Sequence, residues 1–181
     1  DFTSCAIVTI ANTVFESVKL SGTEIENPSA LLFVDCYDLS VSGCKFNFAN
    51  LDSLSCLYIN YLENEEEEEI SCNLLYNEFN TGGNKYSTVF CAGFAESVIP
   101  LMINGNDFNS TNGNNAILLS GVAGGAIKDN IITGYNNGII LIWSAMDLYG
   151  NIITGGDEDS KGVISCALSY SNLAPNGFVY T

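Results

Sequence analysis

One short pattern recurs along the whole chain: an apolar residue, two others, Asn, one more, and a second apolar residue. It reads Leu74-Leu-Tyr-Asn77-Glu-Phe79, Ile103-Asn-Gly-Asn106-Asp-Phe108, Ile127-Lys-Asp-Asn130-Ile-Ile132, Leu148-Tyr-Gly-Asn151-Ile-Ile153 and Leu173-Ala-Pro-Asn176-Gly-Phe178. Val41-Ser-Gly-Cys44-Lys-Phe46 carries Cys in place of Asn, and Thr9-Ile-Ala-Asn12-Thr-Val14 begins on Thr. The key positions are therefore 12, 44, 77, 106, 130, 151 and 176, at intervals of 21 to 33 residues. A repeat of that length is one supersecondary unit. It cannot bury an apolar face alone, but stacked copies bury a continuous core.

Short apolar runs lie between the copies: Leu31-Leu-Phe-Val, Cys56-Leu-Tyr-Ile, Val89-Phe-Cys-Ala, Ala116-Ile-Leu-Leu, Gly138-Ile-Ile-Leu-Ile and Gly162-Val-Ile-Ser-Cys. They are rich in β-formers and bounded by Gly, Asn, Asp and Ser, so they predict strands. No apolar stripe with helical spacing persists for ten residues. The expected fold is all-β: one domain over 1–181, a right-handed parallel β-helix of about seven rungs. Longer loops are expected at about 62–70, 80–87 and 109–115. Two core columns are expected, Val41, Leu74, Ile103, Ile127, Leu148 and Leu173 on one strand, and Phe46, Phe79, Phe108, Ile132, Ile153 and Phe178 on the next.

Asparagine makes up 22 of 181 residues. Asn tolerates the left-handed backbone that a sharp corner needs. Stacked at strand spacing, its amides can also bond along the column. The expected ladder is Asn12, Cys44, Asn77, Asn106, Asn130, Asn151 and Asn176, with Cys44 a small buried member lacking the amide bond.

The IxxNxI motif, followed by Gly-rich turns and Gly-Ile strands, resembles the repeat of the pectate-lyase-like superfamily of right-handed parallel β-helices. The resemblance runs from about residue 4 to 178. It implies a fold more than a function, because the family spans lyases, hydrolases, phage tailspikes, adhesins and stalk-like surface proteins. Its polysaccharide-cleaving members use Arg bases or His and Arg beside clustered aspartates, and this chain has no Arg, His or Gln. Those absences also exclude Ser-His-Asp and Cys-His sites, His metal sites and arginine phosphate clamps. A hydrolase with two carboxylates survives this test, but Asp107, Asp129 and Asp147 fall at different offsets from their Asn. The expectation is no catalytic residue and no cofactor.

The charge balance is 21 acids against 5 bases, net −16. Nucleic acid is excluded as a partner because there is little basic surface to release counterions. No apolar stretch is long enough for a membrane span. Position 1 is Asp, with no signal peptide behind it, which suggests a mature or excised chain that is secreted or on a cell surface. Six carboxylates crowd residues 63–69, and 155–159 form a second acidic turn. Oxygen ligands of this kind (Glu65, Glu66, Glu67, Asp157, Asp159) are weak candidates for Ca²⁺, although a plain solvated loop explains them as well. Asn109-Ser-Thr is a glycosylation sequon. Tyr135, Trp143 and Tyr149 are candidate aromatics for stacking on glycan, against packing in the core or in turns. The seven cysteines read either as buried thiols or as one or more disulfides, with at least one left over.

Neither end carries a polar cap, and the first copy begins in mid-rung. The functional expectation is a structural or adhesive extracellular protein without catalysis. It would be a segment or subunit of a fibre or stalk, whose partners are further copies of itself, end to end. A carbohydrate-binding or polysaccharide-cleaving β-helix, acting on polysaccharide or cell-surface glycan, is the alternative.

Overall fold

The computed structural model describes residues 1–16, 29–48, 55–61, 70–82, 86–93, 98–155, 162–167, 170–173 and 177–179. Within them every element is a strand: β1 (Phe2–Thr3), β2 (Ile7–Ala11), β3 (Val14–Glu16), β4 (Ser29–Val34), β5 (Asp38–Ser42), β6 (Lys45–Phe48), β7 (Ser55–Asn60), β8 (Ser71–Leu75), β9 (Glu78–Thr81) and β10 (Ser87–Ala92). The series continues with β11 (Val98–Asn104), β12 (Asp107–Ser120), β13 (Ala123–Lys128), β14 (Ile131–Ile142), β15 (Ala145–Tyr149), β16 (Ile152–Gly155), β17 (Gly162–Ala167), β18 (Tyr170–Leu173) and β19 (Gly177–Val179).

The fold is all-β, with parallel strands in curled sheets, an arrangement compatible with a solenoid. A seven-stranded sheet runs β18-β15-β13-β11-β8-β5-β2. A twelve-stranded sheet holds the rest, because the long strands β12 and β14 each round a bend and join two stacks. Every strand pairs with its counterpart one repeat away: β2 with β5, β5 with β8, β8 with β11, and so on to β15 with β18. Parallel pairing between non-adjacent segments buries both the core face and the ladder hydrogen bonds, as a repeat that cannot bury itself requires.

The expected core columns follow from this register. Val41, Leu74, Ile103, Ile127, Leu148 and Leu173 are successive Cα partners. So are Phe46, Phe79, Phe108, Ile132, Ile153 and Phe178. Phe15, Phe46, Phe79 and Phe108 stack ring on ring, with centroids 4.8, 4.8 and 4.7 Å apart and planes within 12°. Each such contact contributes about 0.5–1.5 kcal/mol beyond area burial.

Two expectations change. Residues 109–115 are not a loop but part of β12, whose register against β14 shifts between Asn109 and Gly113. Glycine is required at that shift: a β-carbon on Gly113 would lie 2.4 Å from the Tyr135 ring. The first repeat is also out of phase by one residue. Ile10 pairs with Val41 and Val14 with Lys45, so Thr13 stands opposite Cys44 and Asn12 lies one place earlier, exposed to solvent.

Candidate functional site

The corner after β8, β11, β13 and β15 carries a continuous ladder of buried amides. Asn77 donates its backbone N–H and its Nδ2 to Asn106 Oδ1, at 2.9 and 3.0 Å. Asn106 does the same to Asn130 Oδ1, at 2.9 and 3.0 Å, and Asn130 to Asn151 Oδ1, at 3.2 and 2.9 Å. Each Nδ2 spends its second hydrogen on a carbonyl of the preceding layer: Val41, Leu74, Ile103 and Ile127 for the four residues in turn. At most 1% of each of these four side chains is exposed. A buried amide is costly unless all of its groups are bonded, and here they are.

At Cys44 the ladder tapers. Its backbone N–H donates to Asn77 Oδ1, while its thiol points to the carbonyls of Ser42 and Ile10 at 3.4 and 3.7 Å. Thr13 turns its hydroxyl to Ala11 O within its own layer. Asn176 lies outside the described residues. The left-handed backbone belongs not to the ladder residues but to the residue before each: Asn12, Gly43, Tyr76, Gly105, Asp129 and Gly150 all have φ between 52° and 68°. Residues with side chains alternate there with glycine for a steric reason. A β-carbon on Gly43, Gly105 or Gly150 would come within 2.7 Å of Asn12, Tyr76 or Asp129 below it.

Two further polar columns were not anticipated. Glu16, Asn47, Asn80, Asn109, Thr133 and Thr154 are in register on the outer face. Asn47 donates to Glu16, Asn80 to Asn47 at 2.9 Å, and Asn109 to Asn80 at 3.4 Å. The signal was present as a recurring Phe-Asn at 46–47, 79–80 and 108–109. On another face Asn137 donates to Asn115, and Asn115 to Ser87. Beside the outer column, Asn80, Thr81, Gly82, Asn109, Ser110 and Thr111 line a concavity of about 280 Å³. The sequon residue Asn109 is thus half-buried in a strand, with its amide engaged.

Next to this column Lys45 and Glu78 form an ion pair at 2.6 Å, and Asn80 donates to the same carboxylate at 2.8 Å. The Lys45 and Asn80 hydrogen bonds hold Glu78 below the usual carboxylate range. Asp107, the next residue in that column, has one carboxylate oxygen buried without a protein partner.

The three candidate aromatics do not share a face. Tyr135 is buried, and its hydroxyl meets Thr81 and Thr88, both at 2.9 Å, inside the core, so its ring offers no stacking surface. Tyr135 follows Gly134, whose φ of 79° falls where the register against β16 shifts between Thr133 and Tyr135. Trp143 is 61% exposed at a corner, in a left-handed conformation (φ 51°) unfavourable for a bulky residue. Tyr149 is half-buried at the end of β15, with the Lys128 ammonium 5.8 Å from its ring centre. Asp107 pairs in register with Ile131, the Asp129 backbone N–H donates to Tyr149 O, and Asp147 pairs with Ala126, so the three lie in separate columns. Glu65, Glu66, Glu67, Asp157 and Asp159 lie outside the described residues, among which no three His, Cys, Asp or Glu cluster as metal ligands. No described helix could cross a membrane.

Burial keeps the interior thiols protonated: Cys72 is pushed up to about 12, and Cys56 and Cys91 are also raised. No protein-family model, curated protein or solved structure matches the chain.

Proposed function

We propose that the chain is a right-handed parallel β-helix of about seven rungs, of the pectate-lyase-like type, and that it serves as a non-catalytic structural or adhesive element. It would be a segment or subunit of an extracellular or cell-surface fibre or stalk, assembled by end-to-end stacking of copies. The observation that supports this reading is the repetition of parallel pairing from layer to layer, β2 with β5, β5 with β8, β8 with β11, β11 with β13, β13 with β15 and β15 with β18. A parallel strand edge is a template for another strand layer. A repeat that pairs with its next copy by the same register can extend onto a second molecule, and a contact that does not close makes a filament.

The net charge of −16 supports the same reading, since it keeps filaments apart laterally. Ca²⁺ at the acidic loops would neutralise part of that charge. Sedimentation velocity and negative-stain microscopy over a range of protein concentration, with and without Ca²⁺, test the proposal. Oligomers that lengthen with concentration are expected; monodisperse monomers under every condition would remove the filament.

A second reading rests on the outer amide column and its concavity, whose paired donors and acceptors suit sugar hydroxyls. Retarded migration in gels containing polysaccharide would favour binding, and release of reducing sugars would favour a cleaving enzyme.

A further inference from the structure

We propose that Cys5 and Cys36 form an intramolecular disulfide that clips the first strand layer to the second. Their register is fixed from both sides. Thr3 pairs with Val34 and Ile7 with Asp38, which sets Cys5 directly against Cys36. The backbone between agrees: Ser4 donates to Val34 O, and Tyr37 to Cys5 O, at 2.9 and 3.0 Å. In-register parallel neighbours stand about 4.8 Å apart, inside the window of about 4.4–6.8 Å between α-carbons that a disulfide spans.

The side chains are aligned as well. Each cysteine follows a left-handed residue with φ 50°, Ser4 and Asp35, so the two Cα–Cβ bonds leave the corner in the same direction. Cys5 Sγ points to Thr3 O and Cys36 Sγ to Val34 O, the same position within each layer, and Cys36 Sγ also reaches Phe2 O in the layer of Cys5. A disulfide holds its β-carbons about 3.8 Å apart, so closing the bond draws the two corners toward each other. The other cysteines of the described residues are differently placed: Cys44 faces Thr13 in register, Cys56 faces Ala30 and Thr88, Cys72 faces Leu39 and Leu101, Cys91 faces Ile59 and Leu119, and Cys166 pairs with Leu141.

The chemistry is ordinary thiol–disulfide exchange with a small-molecule disulfide such as oxidised glutathione. Cys5 is partly exposed and Cys36 is buried. The Cys5 thiolate attacks the oxidant, forming a mixed disulfide and releasing one reduced thiol. The Cys36 thiolate then displaces the second thiol, so two cysteines lose two electrons and two protons, and one oxidant disulfide is reduced. The product fixes the layer of β1–β3 to the layer of β4–β6.

The test exposes the full chain to oxidised glutathione, followed by peptide mapping without reduction, thermal unfolding and hydrogen exchange. We expect a peptide carrying Cys5 linked to one carrying Cys36, a raised unfolding midpoint that dithiothreitol reverses, and exchange in β1–β3 slowed by about tenfold or more. The partly exposed Cys5→Ser variant keeps the far-ultraviolet spectrum of the parent and loses all three effects. A chain that remains fully reduced, a Cys36–Cys72 link (the other thiol near Cys36), or Cys5 linked between two chains would each overturn the proposal.

Discussion

The two halves of the stack are held by different columns. From β3 to β12 the layers are joined by the rings of Phe15, Phe46, Phe79 and Phe108. From β8 to β16 they are joined by the amides of Asn77, Asn106, Asn130 and Asn151. The columns overlap in the middle and replace each other at the ends. Where the amides stop, at Cys44 and Thr13, the rings are present. Where the rings stop, Ile132 and Ile153 continue the apolar column beneath a complete amide ladder. Parallel pairing runs through both halves, with local register shifts in the β11–β13, β12–β14, β13–β15 and β14–β16 ladders. Winding is therefore set by strand pairing and apolar burial, and the columns add stability to a path already chosen.

Substitutions can break this division of labour. The largest loss is expected for Phe46→Ala, which removes a fully buried ring stacked on both faces, at about 3–5 kcal/mol. Asn130→Ala should follow at about 3 kcal/mol, since it removes the acceptor of the Asn106 backbone N–H and Nδ2 and the donor to Ile103 O, while Asn151 Oδ1 keeps the backbone N–H of residue 130. If urea unfolding shows Asn130→Ala to be nearly neutral, the amides do not hold the second half. Gly105→Ala should cost about 1–2 kcal/mol through its left-handed backbone and the Tyr76 ring. Cys44→Asn sharpens the contrast, because it extends the ladder toward Ile10 O and should gain about 1 kcal/mol. An unchanged denaturation midpoint would show that the taper is not an amide deficit. The smallest effect is expected for Glu78→Gln, about 0.5 kcal/mol at neutral pH, as for an exposed ion pair. Because Glu78 titrates below its ordinary range when folded, its contribution is present at neutral pH and lost as pH falls through that range. Parent and variant stabilities should then converge in acid.

Much of the architecture could be read from the chain because apolar residues recur at a period that only stacking satisfies. The columns through Val41 and Phe46 needed no more than that spacing. Phase was harder. Aligning the first copy on Asn12 put the wrong residue in the ladder, since a period does not say which of two adjacent residues points inward; strand pairing does, and it selects Thr13. The amides stack, but the left-handed turn is made by the preceding residue, so the corner divides two tasks between neighbours. The outer column through Asn47, Asn80 and Asn109 was hidden because polar residues on a strand carry no burial signal, although each follows a core Phe. Tyr135 illustrates the limit for sites: an aromatic in a Gly-rich segment reads as a surface platform until two threonines are found around its hydroxyl.

The account depends on Asn77, Asn106, Asn130 and Asn151 being stacked within one closed amide chain. Hydrogen exchange of their side-chain Nδ2 protons, followed by NMR, tests this most directly. The account predicts that the Nδ2 protons of Asn77, Asn106 and Asn130 exchange only through global unfolding, as slowly as the backbone amides of β11 and β13. Exchange of those protons at the rate of exposed Asn112 would contradict it.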